Sequence, residues 1–191
     1  MGTGPAAGRT GADAGLAPAL IVASTSIALA LASLWWPGAF DLLVLERGQL
    51  ARGQLWRLWS GHLAHIDAPH AALNLAGAGL LALIARRRHE LDALLRASAL
   101  MMPLLSVALL FLMPSQQAYA GLSGLLHGCA AWLLIRRGGW IGAAGLLLIA
   151  LKLLLESLPG YPVQHGFPVV LEAHRAGALI GLLVGLFRKR G

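Results

Sequence analysis

Six long apolar stretches carry almost no charge, and they constrain the fold of this chain more than any other feature. They cover residues 17–36, 68–85, 94–113, 119–135, 139–156 and 168–187. An α-helix needs about 20 mostly apolar residues to cross the hydrocarbon core of a bilayer. Charged residues make up 12% of the chain, about half the share in a soluble domain. The pattern predicts an all-α integral membrane protein, a compact bundle of six transmembrane helices.

Basic residues predict how this bundle is oriented, because Lys and Arg concentrate in short cytoplasmic loops. They lie before the first stretch and after the second, fourth and sixth, at Arg9, Arg86–Arg88, Arg136–Arg137 and Arg188–Arg190. The loops after the third and fifth stretches contain no Lys or Arg. We therefore expect a cytoplasmic N-terminal segment over 1–16, one membrane domain over 17–191, and both termini in the cytoplasm. Because this topology explains the net charge of +7, we expect no nucleic-acid partner.

The first stretch has a second interpretation. Its end, Ala28–Ser33, is similar to a signal-peptidase site. The stretch nevertheless ends in Trp35-Trp36, a pattern typical of an anchor at the membrane interface. Its removal would also place the basic C-terminus outside, so we favour a retained helix.

Two polar side chains lie near the starts of separate apolar stretches. Ser123 stands in Gly121-Leu122-Ser123-Gly124, and His174 stands four residues after Val170. Polar and ionisable groups at membrane depth are costly, which makes them candidates for a functional site. The expected orientation places both, together with His70 and Asn74, in the outer third of the bilayer.

Small residues predict that the helices bearing this serine and histidine approach closely. Glycines recur at four-residue spacing from Gly177, and further glycines surround Ser123 at Gly121, Gly124 and Gly128. Such spacing lets helix backbones pack against each other in lipid. A histidine within hydrogen-bond reach of a serine can accept its proton and make it nucleophilic.

A third member of such a site would be a carboxylate that orients the imidazole. Glu172 is two residues before His174, on the wrong side of a helix, and Asp67 is better explained as the N-cap of the second helix. The sequence therefore predicts a Ser–His dyad, unless a distant side chain intervenes. Lys152 and Glu156 are interpreted as an i,i+4 pair at the interface.

An acyl-transfer site also needs donors for the developing oxyanion. The backbone N–H groups around Ser123 are one source. His70 and Asn74, four residues apart on one helix face, are another. Asn74 could instead bond to a neighbouring helix.

These motifs together resemble the rhomboid intramembrane serine proteases. The resemblance rests on Trp56-Arg57, His65, His70-Ala71-Ala72-Leu73-Asn74, Gly121-Leu122-Ser123-Gly124 and Ala173-His174-x-x-Gly177, in this order. It implies that Ser123 is the nucleophile and His174 the general base. It also implies that His70, Asn74 and the Leu122 backbone stabilise the oxyanion, with His65 in a supporting role. His127 stands where many rhomboids have a tyrosine, and it could stack on His174.

The run Gly-Leu-Ser-Gly-Leu-Leu-His-Gly looks most like the rhombosortase branch of that family. This implies a protease of the bacterial inner membrane that opens to the periplasm. Its expected partners are the lipid bilayer and single-span or tail-anchored proteins, from which it would remove C-terminal Gly-Gly-type membrane tails. The resemblance implies no metal and no organic cofactor.

Three alternatives remain open. The protein could be a general rhomboid protease of other single-span substrates, or an inactive rhomboid-like chaperone, although both Ser123 and His174 are present. It could also bind or transport a metal through five histidines: His62, His65, His70, His127 and His174.

Overall fold

The computed structural model describes residues 16–115, 117–159 and 170–187. Residues 1–15 of the expected cytoplasmic segment lie outside these ranges, and so do the basic residues 188–190. The helices are α1 (Leu16–Trp35), α2 (Ala39–Leu43), α3 (Arg47–Ala51), α4 (Arg57–Ser60), α5 (Ala68–Arg87), α6 (Leu91–Leu112), α7 (Ser123–Arg137), α8 (Gly139–Leu155) and α9 (Leu171–Leu186). Two short strands, β1 (Leu45–Glu46) and β2 (Ala118–Tyr119), pair antiparallel.

Two helices, not six, are long and apolar enough to cross a membrane within the described residues. They are α5, with 20 residues and a mean hydropathy of 1.5, and α6, with 22 residues and a mean hydropathy of 2.0. The apolar segment Leu20–Trp35 of α1 and the whole of α8 are shorter. The prediction of a six-transmembrane-helix bundle is therefore wrong.

The discrepancy arises because apolar stretches and helices do not begin at the same residues. The stretch over 119–135 starts in β2 and then turns at Gly121, whose φ of 125° favours glycine. Helix α7 begins only at Ser123 and has 15 residues. At 1.5 Å per residue it is about 22 Å long, shorter than the roughly 30 Å of a hydrocarbon core.

Helices α5 and α6 expose most of their apolar surface. Of the 18 most apolar consecutive residues in each helix, only 17% in α5 and 33% in α6 are buried inside the molecule. Leu73, Leu80 and Leu83 of α5 are among the exposed side chains. Apolar surfaces of this extent are rare on soluble monomers, and they are what lipid-facing helices present. By length and composition these two helices could associate the protein with a membrane.

Helix α7 packs against α9 with almost no side chain between the two backbones. A Cβ atom on Gly177 would overlap the carbonyl oxygen of Gly124, and one on Gly181 would overlap that of Gly128. A Cβ atom on Gly124 would lie 2.9 Å from the carbonyl oxygen of Ala173. The close approach predicted from the glycine spacing is confirmed, and it brings the starts of α7 and α9 together.

The segment before α7 is held by the two-stranded sheet and by the loop that precedes α5. Leu45 pairs with Tyr119, and the N–H of Gly121 donates to the carbonyl oxygen of Gly61 over 3.1 Å. Arg57, 3% exposed, stabilises the loop by donating to the carbonyl oxygens of Asp41 and Val44. The turn leading to Ser123 therefore rests on a well-bonded support.

Candidate active site

Ser123 and His174 form a hydrogen bond where α7 and α9 begin. Ser123 is the first residue of α7 and His174 is the fourth of α9. The Ser123 Oγ lies 3.0 Å from the His174 Nε2, within hydrogen-bond distance. His174 is 6% exposed, so this pair is largely withdrawn from solvent. In this arrangement the hydroxyl donates to an imidazole nitrogen that can take its proton.

Glu156 contacts the other nitrogen of His174, a contact that the sequence reasoning missed. The His174 Nδ1 lies 3.0 Å from Glu156 Oε2. The second carboxylate oxygen of Glu156 accepts a hydrogen bond from Lys152 Nζ. The predicted Lys152–Glu156 pair therefore exists, and Glu156 is the distant side chain that the prediction of a Ser–His dyad had left open. The available signal was the expected topology, which places the end of the fifth apolar stretch and the start of the sixth at the same face.

Glu156 also fixes the tautomer of His174. A carboxylate accepts hydrogen bonds, so Nδ1 carries the proton and Nε2 keeps its lone pair for Ser123. The side chains of Glu156 and His174 are 9% and 8% exposed. The carboxylate, imidazole and hydroxyl thus have the order and bonding of a serine-hydrolase triad.

Asn74 and His65 are bonded to each other beside the start of α5. The Nδ1–H of His65 donates to the carbonyl oxygen of Leu63 over 2.9 Å, so its Nε2 accepts from Asn74 Nδ2 over 3.1 Å. Burial lowers the pKa of His65, although the hydrogen bond to Leu63 opposes this. A neutral His65 is what this bonding requires. One of the two amide protons of Asn74 is used here.

His70 lies between this pair and the turn that precedes Ser123. Its ring meets the ring of His65 edge-on, with centroids 5.4 Å apart. A Cβ atom on Gly121 would lie 3.0 Å from His70 Cε1, so the imidazole packs against the backbone two residues before Ser123. Asp67 accepts from the His70 N–H over 2.6 Å as the N-cap of α5, which confirms the role predicted for Asp67.

The other residues predicted to lie near the site surround Ser123. Leu122, 5% exposed, immediately precedes α7. His127 Nδ1 donates to the carbonyl oxygen of Ser123 over 2.8 Å. The His127 ring stacks on His174 with centroids 4.2 Å apart and planes inclined by 21°. Gly124 and Gly177 form the crossing of α7 and α9.

The predicted metal alternative has a partial counterpart in the described part of the chain. Ligand atoms of His127, Glu156 and His174 lie within 4.8 Å of one another. A metal ion binds in the plane of an imidazole, however, and two stacked, nearly parallel rings do not aim their lone pairs at one point. His62 is not part of this group: its Nε2 lies 2.9 Å from the Met102 carbonyl oxygen and 3.0 Å from Ser106 Oγ. This geometry suits proton transfer better than metal coordination.

Comparison with known proteins identifies no family for this chain. A scan against protein-family models gives no match, and a search of curated proteins gives none either. The resemblance to rhomboid proteases therefore rests on the sequence motifs alone.

Proposed function

We propose that this protein is a membrane-embedded serine endopeptidase in which Ser123 is the nucleophile and His174 the general base. The observation that carries the proposal is the 3.0 Å contact between Ser123 Oγ and His174 Nε2. Serine hydroxyls become competent nucleophiles when a positioned base accepts their proton. The exposed apolar surfaces of α5 and α6 support a location in the bilayer.

The reaction follows from this geometry. Ser123 Oγ attacks the carbonyl carbon of the scissile peptide bond while its proton moves to His174 Nε2. The tetrahedral intermediate collapses, the C–N bond breaks, and His174 gives the proton to the leaving amine. Water then attacks the acyl-enzyme ester and passes a proton to His174. The ester bond breaks, the new carboxyl terminus departs, and the proton returns to Ser123 Oγ.

The oxyanion is stabilised by donors that surround the start of α7. The backbone N–H groups of Leu122 and Ser123 stand at the beginning of a helix, where they have no intrahelical partner. His70 and Asn74 supply side-chain donors from α5. The packing of His70 against Gly121 supports this assignment.

The proposed substrates are single-span or tail-anchored proteins, cut near the outer surface of the bacterial inner membrane. The removal of C-terminal Gly-Gly-type tails from secreted proteins is the specific reaction that the motif around Ser123 favours. The site opens to the periplasm in this proposal, since α5 and α7 both end in arginines at the far side, where Lys and Arg mark the cytoplasm. The cytoplasmic termini remain a prediction.

The test is cleavage of a secreted reporter that ends in Gly-Gly, an apolar helix and a basic tail. The intact protein and a Ser115→Ala control, altered at an exposed loop serine, are expected to release the tail. Ser123→Ala is expected to insert normally and release none. Cleavage by Ser123→Ala would overturn the assignment of the nucleophile.

A second reporter separates the alternatives. If a general rhomboid substrate is cut and the Gly-Gly reporter stays whole, the chemistry stands and the substrate assignment fails. If a well-inserted protein cuts neither reporter, the binding and chaperone alternatives are favoured over the catalytic one.

A further inference from the structure

We propose that Glu156, held by Lys152, is a positioning residue that orients His174. Lys152, Glu156, His174 and Ser123 then form one continuous series of hydrogen-bonded side chains. This inference rests on the proposed function, because it assigns a role within the same reaction. A Ser–His pair alone would leave the tautomer of the imidazole undefined, because no acceptor would hold the proton on Nδ1.

The contacts form one continuous line. Lys152 Nζ bonds to one oxygen of the Glu156 carboxylate, and the other oxygen accepts from His174 Nδ1 over 3.0 Å. His174 Nε2 faces Ser123 Oγ over 3.0 Å. Each nitrogen of the imidazole has one partner. Nε2 faces Ser123, and Nδ1, on the opposite side of the ring, faces the carboxylate of Glu156.

The location of Glu156 in the fold explains how it can do this. It caps the C-terminal end of α8, one turn after Lys152, while His174 lies in the first turns of α9. The carboxylate therefore comes from a different helix than the imidazole, and its position does not depend on α9 alone. Lys152, the more exposed partner at 46%, holds the carboxylate and balances its charge.

The other nearby carboxylates do not take this part. Asp67 is the N-cap of α5, and within the part of the chain that the structure describes Glu172 forms no ion pair or hydrogen bond. Glu172 is still a useful comparison, because it lies on α9 only two residues before His174.

The first experiment compares Glu156→Gln with Glu172→Gln in the reporter assay with purified, lipid-reconstituted protein. Glu156→Gln is expected to lower kcat by about 100-fold or more, as loss of the orienting carboxylate does in a triad, with little change in KM. Glu172→Gln is expected to retain the rate of the intact protein. A proton magnetic resonance spectrum is expected to show a downfield Nδ1–H signal of His174 that Glu156→Gln loses and Glu172→Gln retains.

A second variant guards against a purely structural effect. Glu156→Gln leaves Lys152 without its partner, so Lys152→Gln/Glu156→Gln removes both charges at once. This double variant is expected to keep the thermal stability of the intact protein and still to lose kcat and the downfield signal. Full kcat in either variant with the signal intact would overturn the role of Glu156.

The outcomes separate the two proposals. If the intact protein shows no Ser123-dependent cleavage and no labelling of Ser123 by a fluorophosphonate, the proposed protease function fails. If Ser123-dependent cleavage is present and is indifferent to Glu156, only the positioning role fails.

Discussion

At the residue scale, His174 is held on three sides. Its Nε2 faces Ser123, its Nδ1 faces Glu156, and the ring of His127 covers one face. Such restraint matters because proton transfer needs the imidazole in one tautomer and one orientation. The three neighbours come from α7 and from the end of α8, so the imidazole is positioned by elements other than its own.

Replacement of His127 tests whether the stacked ring acts by contact or by its nitrogens. His127→Tyr keeps an aromatic face against His174, whereas His127→Ala removes it. Aromatic pairs contribute about 0.5–1.5 kcal/mol, so His127→Ala is expected to lower kcat/KM roughly 2- to 10-fold. His127→Tyr is expected to remain close to the intact protein. Equal losses in both variants would show that an imidazole nitrogen is needed.

Chelation tests the metal alternative at the same residues. Because the rings of His127 and His174 are stacked rather than convergent, cleavage is expected to proceed unchanged in EDTA. The measurement is the reporter rate before and after dialysis against the chelator. Loss of activity that added Zn²⁺ restores would show that His127, Glu156 and His174 hold a required ion.

His62 predicts how stability depends on pH. Burial lowers its pKa to about 4 in the folded protein, against the opposing hydrogen bond to Met102. The unfolded state, with a pKa of about 6.5, binds more protons between these values. Stability is therefore complete above pH 6.5 and falls by about 3 kcal/mol as the pH approaches 4.

The check is the thermal transition in detergent from pH 7 to pH 4 for the intact protein and for His62→Gln. The amide keeps a donor for Met102 and does not titrate, so the variant is expected to show a smaller loss. Identical pH profiles would exclude His62 as the source.

At the scale of elements, the crossing of α7 and α9 is expected to be the least tolerant part of the fold. Gly177→Ala introduces a methyl group that overlaps the Gly124 carbonyl oxygen. Overpacking typically costs about 1–3 kcal/mol, and here it also separates Ser123 from His174. We expect a lower melting temperature and loss of cleavage.

Gly79→Ala provides the matched control, since a Cβ on this exposed helical glycine meets nothing within 4 Å. It is expected to be neutral or to stabilise by about 0.5–1 kcal/mol, because alanine favours the helix. A tolerated Gly177→Ala would contradict the close crossing.

The elements also show what sequence patterns can predict. The glycine spacing predicted the α7–α9 crossing, and Asp67 predicted the start of α5, because both signals are local. Hydropathy overestimated the length of α7, because Tyr119 and Leu122 are as apolar in a strand or turn as they would be in a helix. The contact between Glu156 and His174 was not predicted, because Lys152 already offers Glu156 a partner one turn away. The contact with His174 depends instead on how two helices pack.

At the scale of the whole molecule, the proposed orientation can be measured by cysteine labelling. Ser115 and Arg87 are both exposed, at opposite ends of the proposed lipid-facing helices. In a Cys129→Ala background, Ser115→Cys is expected to react with an impermeant maleimide added outside cells. Arg87→Cys is expected to react only after the membrane is permeabilised. The opposite pattern would invert the proposed topology.

The crossing of α7 and α9 has a consequence for the timing of biosynthesis. Ser123 leaves the ribosome 51 residues ahead of His174, and Glu156 emerges between them. Under the proposed mechanism, a nascent chain that contains Ser123 but not yet His174 therefore lacks its general base. In that mechanism the hydroxyl gains its base only when α9, the last of the described helices, packs against Gly124 and Gly128 of α7. The proposed site is therefore assembled only after α9 has been synthesised and has packed against α7.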